Sequence, residues 1–156
     1  MLPDKPFRLD QNQCVFEPHV LAIPTGGEIA IHNSDAVIHN IRIFKDGKPD
    51  LLMHQWQKPR AADIGWSFDQ PGRYTVRCGV HYWMYSWVVV APPGRFAVTD
   101  EKGFFDLPDV PAGKYTLHVW HEKLGEKELP IEVGSQGTDS VEINYPPVVQ
   151  SAGTST

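Results

Sequence analysis

The chain reads Tyr-Thr-Val-Arg-Cys-Gly-Val-His-Tyr-Trp-Met over residues 74–84, and this stretch decides the fold. In its first half, apolar and polar residues alternate: Tyr74, Val76 and Cys78 are separated by single polar residues. Such a period of two predicts a half-buried β-strand, with the sulfur of Cys78 pointing toward the core. The same alternation recurs over residues 28–32, and turns that contain glycine and proline separate the runs. We therefore predict an all-β protein, built as a sandwich or a barrel.

The composition excludes several other classes of protein. Fourteen prolines and thirteen glycines are spread along the 156 residues, which excludes a helical bundle because both residues weaken helices. The longest apolar run, residues 87–93, is far shorter than the roughly 20 residues that cross a membrane, so we expect no membrane span. The net charge is −5, and the excess of acidic residues lies in residues 93–156. This balance argues against a nucleic-acid partner.

A proline-rich junction at residues 92–94 divides the chain. After it we expect a second unit, residues 93–145, with four or five strands that include a hairpin over residues 99–105. A unit this small buries little surface by itself, so we predict that it packs against the first unit. The tail at residues 146–156 is rich in Ser, Thr and Gly and is expected to be disordered. Residues 45–66 lack regular alternation, which predicts a loop or a single helical turn.

Three side chains that bind metals follow each other at intervals of three residues: Cys78, His81 and Met84. Thiolate and imidazole suit copper or zinc, and the methionine favours copper because zinc sites use cysteine, histidine and carboxylate. A second histidine is needed, and His39 shares the parity of the apolar Ile41, which predicts that it faces the core. His39, Cys78 and His81 would then form a trigonal plane, with Met84 as a weak axial ligand.

These motifs resemble those of the cupredoxins. The matching features are residues 29–43, residues 71–74 and the spacing of Cys78, His81 and Met84. The short ligand loop is most similar to that of amicyanin. The resemblance implies a cupredoxin-like Greek-key β-sandwich over residues 7–92. It also implies that the backbone N–H of Asn40 contacts the Cys78 sulfur and tunes the redox potential.

The same resemblance implies an electron-transfer function. The protein would be a one-electron carrier rather than an enzyme, with one type 1 (blue) copper per chain that alternates between Cu(I) and Cu(II). The implied metal ligands are His39, Cys78, His81 and Met84. The partner would be a redox protein such as a c-type cytochrome, and the acidic residues 93–156 would favour a basic one. We expect a periplasmic or exported location, with the signal peptide removed.

Residues 93–145 resemble the later strands of the carboxypeptidase-regulatory-like, prealbumin-type β-sandwich. The whole chain is similar to bacterial exported proteins that join a cupredoxin to such a truncated module, some of which carry a methylamine-utilisation label. The resemblance therefore implies a cupredoxin-like domain at residues 7–92, a carboxypeptidase-regulatory-like β unit at residues 93–145 and the tail at residues 146–156.

Two alternatives to an electron carrier stay open in the sequence. The first is a copper-handling protein that stores or delivers the metal, although the chain has only three methionines. The second is a metal-free interaction module in which Cys14 and Cys78 form a disulfide, as paired cysteines do in exported proteins. Cys14 could instead be a buried apolar side chain or lie beside the metal, and the roles of Glu17 and His19 are open.

The remaining histidines and aromatic residues near the motif give further expectations. His32 is expected on a solvated strand face, and His54 is a candidate surface ligand. Tyr82 and Trp83 surround the ligand loop, where they would either fill the end of the sandwich or form an apolar patch around His81. Such a patch suits the small interfaces of transient redox partners.

Overall fold

The computed structural model describes residues 4–92, 94–136 and 140–147, so residues 148–156 of the predicted tail lie outside it. Over these ranges the chain forms β-strands and no helix, which confirms the prediction of an all-β protein. The described residues therefore contain no helix long and apolar enough to span a membrane. In chain order the strands are β1 (Phe7–Asn12), β2 (Val15–Glu17), β3 (Val20–Pro24), β4 (Glu28–Asn33), β5 (His39–Lys45), β6 (Leu51–Gln57), β7 (Ile64–Ser67), β8 (Gly72–Cys78), β9 (Tyr85–Ala91), β10 (Gly113–His121) and β11 (Gly125–Val133).

The chain divides into two compact units, Met1–Leu107 and Pro108–Thr156. The first unit contains β1 to β9, in two sheets with the strand orders β2-β1-β4-β7 and β3-β9-β8-β5-β6. Neighbouring strands are antiparallel, except that β1 pairs with β4 and β3 pairs with β9 in parallel. Buried apolar side chains from both sheets meet in one core, which makes the first unit a β-sandwich.

The alternation read from the sequence is present in the strands that position the ligands. In β5, Ile41 is buried and Arg42 is half-buried, and in β8, Cys78 is buried and Arg77 is exposed. The two strands are antiparallel neighbours, with Ile41 opposite Cys78. Because His39 begins β5 and Cys78 ends β8, this register brings the two side chains to the same end of the sheet.

Residues 45–66 contain β6 and most of β7, separated and preceded by loops, so the prediction of a loop or a single helical turn was wrong for these two strands. Both lie at sheet edges. In β6, six of the seven side chains are at least partly exposed, so the strand shows no apolar alternation. An edge strand of this kind is held by backbone pairing to β5, which a hydrophobic pattern does not reveal.

The second unit contains one antiparallel pair in its described residues, β10 with β11, joined over nine residue pairs. The prediction of four or five strands after the junction was therefore wrong for the described part of the chain. Residues 99–105 form a turn rather than a strand hairpin, because the Asp100 carboxylate accepts the amides of Lys102 and Phe104. A side chain that satisfies nearby amides in this way stabilises a turn without a partner strand.

Candidate metal centre

The end of β8 and the short loop that follows it carry three of the predicted ligands. Two backbone hydrogen bonds close the loop, from the Met84 amide to the His81 carbonyl at 2.9 Å and from the Cys78 amide to the Met84 carbonyl at 3.1 Å. Cys78 and Met84 are buried, as strand parity predicted for Cys78, and His81 is half-buried. The strand end and the loop together therefore present two buried sulfur side chains and one partly accessible imidazole.

His39, from the start of β5, completes a compact triangle of donor atoms. Its Nδ1 lies 3.2 Å from His81 Nδ1, and the Cys78 Sγ lies 3.7 Å from His39 Nδ1 and 3.5 Å from His81 Nδ1. The centre of such a triangle is about 2 Å from each corner, close to the usual length of metal–imidazole and metal–thiolate bonds. The three donors thus fit one ion, and two imidazoles with a thiolate suit a transition metal such as copper.

One carboxylate, which the sequence analysis did not identify, orients His39. Asp35 Oδ2 lies 2.8 Å from His39 Nε2, so the Nε2–H group donates a hydrogen bond to Asp35 and Nδ1 is left to bind a metal. Asp35 also accepts the amides of Gln13 at 2.6 Å and Cys14 at 3.0 Å. Burial raises the pKa of Asp35, but the Cys14 amide, the His39 ring and the Gln13 amide outweigh it and hold the pKa below its ordinary value. The signal in the sequence was a carboxylate four residues before His39.

The backbone amide of Asn40 donates to the Cys78 sulfur at 3.5 Å, which confirms the contact that the resemblance implied. The Asn40 side chain is fixed in turn, with its Nδ2 2.7 Å from His54 Nε2 and its Oδ1 accepting from Arg42 Nε at 2.8 Å. His54 therefore supports Asn40, and the candidate metal cluster among the described residues does not include it. A hydrogen bond to a thiolate withdraws charge from the sulfur and so changes the redox potential of a metal bound to it.

The second cysteine lies beside the same donors. Cys14 and Gln13 form the two-residue turn between β1 and β2, and both have a positive φ, 55° and 54° respectively. One ligand atom from each of Cys14, His39 and His81 lies within 4.8 Å of the other two. Of the three expectations for Cys14, the geometry favours a position beside the candidate metal ligands.

Cys14 and Cys78 are both free thiols, and Cys14 is half-buried. Burial raises the pKa of the Cys14 thiol, and the charges of Asp35 and Cys78 raise it further. The indole Nε1 of Trp83 donates to the Cys14 carbonyl at 2.9 Å. This hydrogen bond ties the turn between β1 and β2 to the loop that carries His81.

Large aromatic side chains surround the accessible edge of the centre. Tyr82 is 92% exposed and Trp83 is 53% exposed. The Trp83 ring lies 5.3 Å from the His81 ring and 5.4 Å from the Tyr82 ring, measured between centroids. Of the two expectations for this pair, exposure favours the apolar patch around His81 rather than filling of the sandwich.

Three other residues singled out in the sequence lie outside the donor cluster. Glu17 and His19 are exposed, and the cluster found among the described residues includes neither. The His19 ring packs edge-on against Tyr85 at 5.1 Å. His32 lies on the polar face of β4, where its Nδ1 is 2.6 Å from an Asp63 carboxylate oxygen.

The first unit is similar to known copper proteins. No family model matches the chain, and no curated protein gives a significant match. Amicyanin from Paracoccus versutus is 21% identical with a TM-score of 0.50, over 57% of this chain and 84% of that chain. The Cu(I) form of an amicyanin variant is 23% identical with a TM-score of 0.51, over 57% of this chain and 85% of that chain. The matched part of the chain has a cupredoxin-like fold.

A Cu-containing nitrite reductase from Thermus scotoductus SA-01 shares the cupredoxin-like fold at 21% identity and a TM-score of 0.51. That match covers 58% of this chain and 23% of the enzyme. Similarities at this level of identity establish the fold of the cupredoxin-like unit. They do not establish its activity. They do not confirm the resemblance of residues 93–145 to a carboxypeptidase-regulatory-like module, nor the methylamine-utilisation label.

Proposed function

We propose that the cupredoxin-like unit is a one-electron carrier that binds a single copper ion through His39, Cys78, His81 and Met84. The observation that carries this proposal is the triangle of two imidazole nitrogens and one sulfur, with sides of 3.2, 3.5 and 3.7 Å. Two histidines and a cysteine in a plane, with a weakly bound axial methionine, are typical of electron-transfer copper sites.

The surrounding residues would hold these donors in one arrangement. Copper bound there would supply one-electron chemistry by changing between Cu(I) and Cu(II). His39 is 0% exposed, and Asp35 fixes its ring, while the Asn40 amide fixes the Cys78 sulfur. A donor set that is held before the metal changes charge needs little rearrangement when an electron arrives or leaves, which favours rapid transfer.

The edge of the centre around His81 is the proposed route for the electron. His81 is half-buried, and the exposed Tyr82 and Trp83 form an apolar patch beside it. Redox partners meet over small interfaces and separate quickly, and an exposed apolar patch suits such an encounter. We propose a redox protein such as a c-type cytochrome as the partner, in an exported or periplasmic setting.

Storage or delivery of copper is less compatible with the burial of the donors. A protein that passes its metal on needs ligands that the recipient can reach. His39 is 0% exposed and Met84 is 1% exposed, so only the His81 side of the proposed set is accessible. This burial favours a carrier, which retains the metal through both oxidation states.

The visible spectrum of the Cu(II)-loaded full chain tests the proposal. Thiolate bound to Cu(II) gives an intense charge-transfer band, so we expect one in the wild-type protein and in Cys14→Ala. We expect Cys78→Ser, introduced into Cys14→Ala, to abolish the band, and His39→Ala to weaken it strongly. His32→Ala is the matched control, since His32 pairs with Asp63 outside the donor cluster, and it should keep the band. A colourless wild-type protein, or a band that survives without Cys78, contradicts the proposal.

A further inference from the structure

The proposed ligand set leaves one nearby thiol without a role. Cys14 has a ligand atom within 4.8 Å of those of both His39 and His81, although it belongs to a different part of the chain. It reaches this place from the turn between β1 and β2, 25 residues before His39. A second sulfur beside two imidazoles makes a donor set of its own, since soft thiolate and imidazole ligands together select copper or zinc.

The turn that carries Cys14 is fixed to the metal centre by two separate contacts. The Asp35 carboxylate that orients His39 also accepts the Cys14 amide at 3.0 Å. From the other side, Trp83 donates to the Cys14 carbonyl at 2.9 Å. A single carboxylate therefore sets the position of His39 and of Cys14, so the two donors keep their separation.

The backbone of this turn is also unusual for its residues. A two-residue hairpin turn with positive φ at both positions ordinarily contains glycine or asparagine. Here Gln13 and Cys14 occupy it, and a positive φ costs conformational energy in residues that carry a side chain. Glycine would form the same turn without this cost but would offer no thiol to His39 and His81.

We propose that Cys14 is a further ligand of the ion held by His39, Cys78 and His81, so that the centre can bind a soft metal through two thiolates and two imidazoles. This inference rests on the proposed function, because it assumes the same metal position. Each thiol that binds releases its proton to solvent, so two protons leave when both cysteines become ligands.

Binding of Cys14 to the same ion requires its sulfur to move toward the other donors. Four ligands about 2.0–2.3 Å from one ion in a tetrahedron lie about 3.3–3.8 Å apart. The Cys14 ligand atom is within 4.8 Å of those of its two histidine neighbours, so Cys14 has to move closer to them to reach these separations. Cys14 is half-buried and lies in a turn, so its side chain can change rotamer without moving the strands.

X-ray absorption of the Zn(II)-loaded full chain counts the sulfur ligands directly. Zinc takes thiolate and imidazole rather than thioether, so the count reports the two cysteines and not Met84. We expect two sulfur atoms at about 2.3 Å in the wild-type protein and one in Cys14→Ser. Gln13→Ala, which changes the other residue of the same turn and keeps the thiol, is the matched control and should show two.

The affinity for Zn(II), measured by competition with a chelator, gives a second readout. We expect Cys14→Ser to bind Zn(II) at least tenfold more weakly than Gln13→Ala. One sulfur atom in the wild-type protein, or equal affinities for the two variants, overturns the inference. If the Cu(II) protein is still intensely coloured in that case, the proposed electron-transfer function is retained and only the proposal that Cys14 is a ligand is wrong. Absence of any short sulfur ligand overturns both.

Discussion

At the scale of single residues, the chemistry of the centre depends on which nitrogen of His39 is free. Asp35 accepts a hydrogen bond from Nε2 at 2.8 Å, and this leaves Nδ1 toward His81 and Cys78. Without the carboxylate, the neutral ring could carry its proton on either nitrogen and rotate. A metal would then have to select the right tautomer and orientation when it binds.

We therefore predict that Asp35→Ala weakens metal binding by about 10- to 100-fold, the usual effect of losing a partner that orients a ligand. Competition with a chelator for Zn(II) or Cu(I) measures this change. Asp63→Ala is the matched control, because it removes the carboxylate 2.6 Å from His32 and leaves the donor cluster intact. An affinity for Asp35→Ala equal to that of Asp63→Ala would show that His39 needs no such partner.

The sequence predicted the inward-facing donors better than the residues that support them. Strand parity was sufficient to predict that His39 and Cys78 face the core, and both are buried. Asp35 and Cys14 lie in turns, where the direction of a side chain depends on φ and ψ rather than on a period. Nothing in the residue types at positions 13 and 14 indicates positive φ at both, so the approach of Cys14 to the histidines was not predictable.

At the scale of elements, the chain just after β8 passes close to the Asn40 side chain of β5. The Gly79 amide donates to the Asn40 carbonyl at 2.8 Å. A Cβ at Gly79 would lie 2.2 Å from Asn40 Oδ1 and 2.7 Å from Arg42 Nε. A side chain at position 79 would therefore collide with the side chain of Asn40, the residue whose amide donates to the Cys78 sulfur.

We predict that Gly79→Ala lowers the free energy of unfolding of the metal-free protein by about 1–3 kcal/mol, the usual effect of overpacking. The added methyl group has to displace the Asn40 side chain and break its contacts with Arg42 and His54. Denaturant unfolding measures the loss, with Gly94→Ala as control because the nearest atom to a Cβ there is 3.8 Å away. Equal stability of the two variants would mean that the Asn40 side chain can move away from the added methyl group without loss of stability.

Strand prediction succeeded where one face of the strand is buried and failed at the edges. β4, β5 and β8 each bury the apolar side chains of one parity, and this period of two was visible in the sequence. β6 is held to β5 by backbone hydrogen bonds, while most of its side chains are exposed, so its sequence carries no period of two. The turn at residues 99–105 was mistaken for a hairpin because the same residue types favour both structures.

At the scale of the whole molecule, the role of residues 93–145 is still a prediction from the sequence. No side chain of β10 is buried, and an isolated pair of strands is at best marginally stable in water. We therefore keep the prediction that these residues unfold together with the cupredoxin-like unit in one thermal transition. A chain that ends at Ala91 should express poorly or bind copper weakly. Two well-separated transitions, with a soluble and fully blue 1–91 fragment, would contradict it.

The central claim is that one copper ion stays bound to His39, Cys78, His81 and Met84 while it gains and loses an electron. The most direct test is to reduce and reoxidise the copper-loaded full chain in the presence of a copper chelator while recording the visible band. We predict that one electron per chain bleaches the band and that reoxidation restores it in full, because the buried donors retain the metal in both states. A band that never forms, or that is lost to the chelator after one cycle, would contradict the account.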